Sequence, residues 1–169
     1  MFRQNLKAKV TWPNFLFIIL IMSFWGILTA QKIEPINKDY PVKKTAEEWQ
    51  NELGPQAYSV LREHGTERAF SGEYWDNKEK GKYICRGCDQ ELFSSETKFD
   101  SGTGWPSYYE VIGDSLVDET SDSRYGMNRV EVSCSRCGGH LGHLFNDGPA
   151  PTGKRYCINS ISMKFVKEK

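Results

Sequence analysis

Five cysteines carry most of the chemistry open to this 169-residue chain, and four of them come in pairs: Cys85-Arg-Gly-Cys88 and Cys134-Ser-Arg-Cys137. A two-residue gap with glycine inside or just after it lets a tight turn aim two sulfurs at one point. Two such turns supply a tetrahedral thiolate set that suits zinc, or iron of the rubredoxin kind. The pairs lie far apart in the sequence, so a metal there would staple two distant hairpins. Two other uses compete. Disulfides are open to an exported chain, and one Cys-x-x-Cys could serve as a redox dithiol, although neither pair follows a strand and opens a helix. The paired turns favour structural zinc, one ion per chain. Four thiolates would leave that ion no open position, so it would support folding and not chemistry.

Cys157 stands apart, in Gly153-Lys-Arg-Tyr-Cys-Ile-Asn-Ser160. A lone cysteine is commonly a small, inert core residue. Here the neighbours argue for more. Arg155 lies two positions before it and Asn159 two after it, and alternate residues of a strand project to one face. A guanidinium beside a thiol favours the thiolate, the nucleophilic form. Two of the three histidines, His140 and His143, follow the second cysteine pair in Gly138-Gly-His-Leu-Gly-His143. A metal hairpin would hold both imidazoles rigidly, and imidazoles suit proton transfer near neutral pH. The third, His64, precedes Gly65 and reads as a helix-end residue rather than a catalyst.

These residues need elements to position them. Thr45-Ala-Glu-Glu48 has the capping-box pattern and opens a short helix carrying Trp49 and Leu53. Gly54-Pro55 breaks it and starts a second short helix with Tyr58 and Leu61, which Gly65 would stop. Beyond Gly65 the helical period disappears. Strands are expected at Gly81–Cys85, Glu91–Phe93, Tyr108–Ile112, Arg129–Ser133 and Tyr156–Val166, separated by Gly/Asp/Ser/Pro clusters. The expected fold class is mainly β: two short N-terminal helices leading into a metal-clamped antiparallel β-domain.

Lys and Arg equal Asp and Glu at 22 each, so there is no basic footprint for a nucleic-acid partner. The first 30 residues are different. Arg3, Lys7 and Lys9 precede the apolar run Phe15–Leu28, then Thr29-Ala30, which is the order of a secretory signal. Leu28 sits where a small residue is usual, so an uncleaved N-terminal anchor is the alternative, although the run is short for a span of about 20 residues. A buried core helix is a third, weaker reading. Signal or anchor, residues 1–30 would place the rest outside the cytoplasm: periplasmic, secreted, or anchored and facing outward. Membrane contact would then come only through that segment. Residues 31–44, with two prolines and no period, read as a linker to a domain over residues 45–169.

Over that domain the chain resembles the B-type methionine sulfoxide reductase family. The resemblance rests on Gly65-Thr-Glu67, Phe70-Ser-Gly72, Gly81-Lys-Tyr-Ile-Cys-Arg-Gly-Cys88, Leu92-Phe93, Lys98-Phe-Asp-Ser-Gly-Thr-Gly-Trp-Pro-Ser107, Cys134 through Gly148, Pro151-Thr-Gly153 and Arg155-Tyr-Cys-Ile-Asn-Ser160, in that order. It implies a peptide-methionine (R)-S-oxide reductase with Cys157 as nucleophile and zinc on Cys85, Cys88, Cys134 and Cys137. It implies further that His140, His143 and Asn159 surround the sulfoxide, and that Trp105 walls its methyl group. The partners would be oxidised methionine, in proteins or peptides or free, and a thioredoxin-like or small-thiol reductant. The chemistry is sensible on its own terms. Sulfoxide oxygen leaves poorly unless protonated or strongly hydrogen-bonded, so a thiolate attacking sulfur needs a donor beside it. The product on the protein is a sulfenic acid.

Each neighbour keeps a plain structural use as well. Trp105-Pro106 could be only a packed turn, either histidine a satisfied structural residue, and Asp147 a turn former or a partner of Arg155 or a histidine. Arg155 could pair with Asp147 instead of tuning the thiol. The chain departs from the family pattern at Thr103, where many members carry a resolving cysteine. With the other four cysteines committed to metal, a one-cysteine cycle is expected, its sulfenic acid reduced directly by an external thiol.

Overall fold

The computed structural model describes residues 38–169, so the candidate signal or anchor of residues 1–30 and the first part of the candidate linker lie outside the described residues. No helix among the described residues is long and apolar enough to cross a membrane. From Lys38 to Lys44 the chain has no helix or strand, yet it is tied down: Val42 N–H donates to the Arg136 carbonyl at 2.9 Å, and Tyr40 covers Gly138.

One helical run, α1 (Ala46–Glu63), replaces the two expected helices, but it carries the predicted break. Thr45 accepts from the Glu48 amide and the Glu48 carboxylate accepts from the Thr45 amide, which is the reciprocal cap. Gly54 is left-handed in φ and extended in ψ (71°, 168°), and Pro55 cannot donate, so the axis kinks there. The helix ends on His64 itself, in a left-handed conformation at φ 58°. A side chain other than glycine is unusual there. His64 is held by a hydrogen bond between its Nδ1 and Glu131 Oε1 at 2.7 Å.

Nine short strands follow: β1 (Gly81–Cys85), β2 (Glu91–Ser94), β3 (Lys98–Phe99), β4 (Ser107–Tyr108), β5 (Val117–Asp122), β6 (Arg129–Cys134), β7 (His140–Phe145), β8 (Arg155–Ile158) and β9 (Met163–Lys167). They form two antiparallel sheets, ordered β2-β1-β9 and β3-β4-β8-β7-β6-β5. The expected single strand over Tyr156–Val166 is therefore two. Between them Ser160–Ser162 makes a 3-10 turn that carries the chain from the larger sheet to the smaller. The strand expected at Tyr108–Ile112 is only Ser107–Tyr108, and β3, β5 and β7 had no expected counterpart.

The core lies between the sheets and under α1. Tyr83, Phe93 and Tyr108 are fully buried, with Phe93 stacked on Tyr108 at 4.4 Å and Tyr83 edge-on to Tyr108 at 5.2 Å. Burying such rings supplies much of a small domain's apolar stabilisation. Trp49, Ala57 and Leu61 cover the other side, where Leu61 meets the Cys137–Gly139 turn and Trp49 meets Gly87. The helix thus seals both cysteine turns.

Candidate active site

Cys85 closes β1 and Cys134 closes β6, and each strand turns at once to bring back Cys88 and Cys137. The Cys85–Cys137 sulfurs are 3.6 Å apart and the Cys88–Cys134 sulfurs 3.5 Å. All four lie within 4.8 Å of one another. Thiolates at about 2.3 Å from a tetrahedral ion stand roughly 3.8 Å apart, whereas a disulfide needs about 2.05 Å. The set fits a metal ion, and all five cysteines are free, so the disulfide alternative is not realised. Arg62 Nη1 donates to the Cys137 carbonyl at 2.9 Å, and Gln90 Nε2 donates to Cys134 Sγ at 3.5 Å. These bonds brace the turns from outside.

Cys157 sits in β8 between two neighbours in register: Ser107 of β4 on one side and His143 of β7 on the other. It lines a cavity of about 150 Å³ together with Thr66, Trp105, Arg129, Gly142, His143, Phe145 and Asn159. A Cβ on Gly142 would stand 2.0 Å from the Cys157 carbonyl oxygen, so only glycine lets β7 approach β8 this closely. Trp105 and Phe145 give the cavity apolar lining, and His143, Asn159 and Arg129 give it polar groups. A larger cavity, about 560 Å³, opens at the helix kink, but neither a thiol nor an imidazole lines it.

His140 is brought near this group but not into the cavity. Residues three apart in a regular strand face opposite sides. Here the β6–β7 ladder slips between Val132↔Gly142 and Ser133↔His140, leaving Leu141 as an extra residue. Such a bulge re-aims a side chain, and the two imidazoles end 5.4 Å apart by ring centroid. His140 is 1% exposed, and its Nδ1 lies 2.6 Å from Glu131 Oε1, the same oxygen that His64 Nδ1 contacts at 2.7 Å. These three also place ligand atoms within metal-binding reach. However, ligands at about 2.1 Å from a tetrahedral ion stand roughly 3.4 Å apart, so the short contacts are hydrogen bonds.

Asp122, nearly inaccessible, is the second acidic hub. Its carboxylate accepts from Arg124 Nε at 2.8 Å and Arg129 Nη2 at 2.7 Å, and it meets His143 Nε2 at 2.9 Å. Burial works against its charged form. The bonds from Arg124 and His143 outweigh that and hold the carboxyl well below the usual carboxylate range. Glu131 behaves the same way, its bonds from His140 and His64 overcoming burial. His143 goes the other way: burial lowers its pKa, and Asp122 only partly offsets this. At neutral pH His143 is therefore uncharged, with Nε2–H donating to Asp122 and Nδ1 left over for other contacts.

The thiol is not a resting thiolate. Burial pushes the Cys157 pKa above its ordinary value, and the Arg155 charge and a contact with Thr103 recover only part of the cost. Arg155 acts in the expected direction but is engaged elsewhere. Its guanidinium makes a two-pronged pair with Asp147, at 2.8 and 2.9 Å, and lies 4.3 Å over the Phe145 ring. Thr103 Oγ1 approaches Cys157 Sγ to 4.0 Å.

Trp105 and Asn159 are both anchored through residue 67. Trp105 Nε1 donates to the Glu67 carbonyl at 3.1 Å, and Asn159 Oδ1 accepts from the Glu67 amide at 3.0 Å. Asn159 Nδ2 donates to Leu141 O at 3.0 Å, and an amide nitrogen has a second hydrogen to offer. Of the sequence candidates, Cys157, His143, Asn159 and Trp105 line one cavity, and His140 stands behind them. Sequence reasoning missed Asp122, Glu131, Arg129, Glu67, Thr66 and Phe145. Arg129 and Glu131 alternate with valines in an expected strand, a pattern that by itself gives them no role, whereas Glu131 is only 9% exposed.

Two cysteine turns, one from each sheet, that commit four thiols, with a fifth in a small cavity of apolar rings and hydrogen-bonding groups, define a thiol-dependent oxidoreductase. The comparisons agree. The SelR domain matches residues 53–167. A peptide methionine sulfoxide reductase MsrB of Methanosarcina barkeri (strain Fusaro) is 63% identical over 127 residues, covering 75% of this chain and 89% of that protein. The MsrB of Leptospira interrogans serogroup Icterohaemorrhagiae is 56% identical over 130 residues, covering 77% and 99%. The chain belongs to this SelR-domain family, the MsrB methionine sulfoxide reductases. Among solved structures, the crystal structure of the Mis18 "Yippee-like" domain aligns with a TM-score of 0.44 at 17% identity, over 54% of this chain and 99% of that one.

Proposed function

We propose that this chain reduces the R epimer of methionine sulfoxide in oxidised proteins or peptides, with Cys157 as the nucleophile. The observation that carries this reading is the placement of Cys157 in a small cavity that both aromatic rings, Trp105 and Phe145, and hydrogen-bonding groups, His143 and Asn159, line. The S-methyl group rests on Trp105, and the sulfoxide oxygen turns toward His143 and Asn159. Cys157 gives up its proton and its sulfur attacks the sulfoxide sulfur. A proton reaches the sulfoxide oxygen as it passes to Cys157, leaving methionine and a Cys157 sulfenic acid. Two external thiols then return Cys157 to its reduced form, releasing water and a disulfide. A thioredoxin-like protein or a small thiol supplies them, because Thr103 occupies the place where a resolving cysteine would stand.

His143 carries the proton through Nδ1, since Asp122 holds Nε2. His140, its Nδ1 engaged by Glu131, supports the ring of His143 from behind. Cys85, Cys88, Cys134 and Cys137 would hold one zinc ion, which would secure the fold and take no part in the chemistry. The basic, then apolar, order of residues 1–30 supports export or outward-facing anchorage.

Separate R- and S-sulfoxide substrates, assayed with dithiothreitol and then with a thioredoxin-type donor, test the reading. R-specific turnover that Cys157→Ser abolishes, with metal retained, supports it. A Cys157→Ser protein that still reduces the R epimer overturns it.

A further inference from the structure

Glu67 ties together two residues that line the reaction cavity, Trp105 and Asn159, through four hydrogen bonds. Its carbonyl accepts from Trp105 Nε1 at 3.1 Å and its amide donates to Asn159 Oδ1 at 3.0 Å. Its carboxylate accepts from the backbone amides of Ser160 at 2.6 Å and Ile161 at 2.9 Å. These are the first residues of the turn that follows Asn159. The side chain therefore fixes the backbone of residue 67 against that turn, and the same backbone holds the indole and the amide. Gly72 leaves room for this: a Cβ there would fall 2.5 Å from Glu67 Oε1 and 2.3 Å from Ser160 Oγ.

We propose that Glu67 is a positioning residue that sets the spacing between Trp105 and Asn159, and through it the preference for one sulfoxide epimer. This rests on the reading above, in which Trp105 receives the methyl group and Asn159 the oxygen. The two epimers exchange oxygen and lone pair at sulfur, so selection requires that an apolar wall and a polar donor be held at one separation. Glu67 does not reach the reacting atoms. A misplacement near 1 Å at such a site costs about 10²-fold in rate.

The test uses the full metal-loaded chain, with Glu67→Ala, Glu67→Gln and Glu67→Asp compared with the parent on R- and S-N-acetylmethionine sulfoxide. Cys157 alkylation by iodoacetamide and melting temperature are read alongside. Glu67→Ala is expected to raise KM for the R substrate by about tenfold or more and to narrow the R-over-S ratio, leaving Cys157 alkylation unchanged. Glu67→Gln keeps the reach and one acceptor oxygen, so it should fall between parent and alanine. Glu67→Asp keeps the charge but is one methylene short, and should be worse than Gln. Unchanged KM and epimer ratio in a variant with lowered melting temperature would overturn the proposal, leaving Glu67 a brace. An Asp variant equal to parent would overturn it too, since charge alone would then suffice. If Glu67→Ala does not fold, the Gln and Asp order still decides. A parent that shows no Cys157-dependent reduction of the R substrate sinks the functional reading itself, a result distinct from any ranking of the variants.

Discussion

His143 faces Cys157 directly across the β7–β8 ladder, which makes it the nearest imidazole in register with the thiol. His140, though only three residues away, lies outside the cavity with its Nδ1 on Glu131. Replacing His143 by Asn should therefore lower kcat by about 10²- to 10⁴-fold, the usual worth of positioned proton transfer. His140→Asn should cost stability more than rate. Kinetics and melting curves on the two variants check the split. Equal losses of kcat would show that both rings handle the proton.

Asp147 restrains the charge that would otherwise serve the thiol. It pairs with Arg155 through both oxygens, and its own negative charge raises the Cys157 pKa. Asp147→Asn should lower the thiol pKa, so that alkylation at pH 7 speeds up by a few-fold. In the parent, the alkylation rate should go on rising with pH beyond the ordinary thiol midpoint of about 8.5. A parent profile already level at pH 8 would contradict this.

Acid should undo the two acidic hubs. Asp122 and Glu131 have carboxyl pKa values depressed by folding, so the native chain binds fewer protons there than the unfolded chain does. Their stabilisation is complete above the unfolded carboxylate values near 4 and is lost as pH falls through the depressed folded values. Melting temperature should begin to decline below about pH 6.5, where the unfolded chain protonates His143 and burial resists that charge in the folded one, and should fall steeply below about 5. Asp122→Asn should cost about 3 kcal/mol at pH 7, because Arg129 loses a buried partner, and much less at pH 2. A constant difference across that range would refute the linkage.

Thr103 stands close enough to Cys157 for an installed thiol to resolve the sulfenic acid, with Oγ1 and Sγ 4.0 Å apart. It is flanked by Gly102 and Gly104, both at positive φ, which give the loop turns a bulkier residue would strain. Thr103→Cys should yield an intramolecular disulfide between the introduced thiol and Cys157 after one turnover. Mass spectrometry would see it as a loss of about 2 Da per chain from the two departing hydrogens. Persistence of the sulfenic acid in that variant would mean that the loop cannot close.

Much of this was legible in the sequence, because local rules and tertiary structure agree. Thr45 and Glu48 form the cap their spacing implies, Gly54-Pro55 kinks the helix, and the Cys-x-x-Cys turns bring four sulfurs together. What stayed hidden depends on register. His140 and His143 share a neighbourhood only because a bulge at Leu141 corrects their odd spacing. Asp122 and Glu131 gain their roles from β5, β6 and β7 lying side by side, and hydrophobic pattern alone does not announce β5 or β7. Arg155 beside the thiol was visible. Its pairing with Asp147 was one of the two uses the sequence offered, and the structure realises it; the burial that keeps Cys157 protonated was a matter of geometry.

The central claim is that Cys157 alone carries the oxygen taken from the substrate. One turnover of the metal-loaded chain with R-methionine sulfoxide and no reductant tests it most directly, with methionine counted and the oxidised residue identified by mass spectrometry after sulfenic-acid trapping. The account predicts one methionine per chain and a trapped sulfenic acid on Cys157. A disulfide linking Cys157 to Cys85, Cys88, Cys134 or Cys137, or methionine formed with Cys157 unmodified, would contradict it.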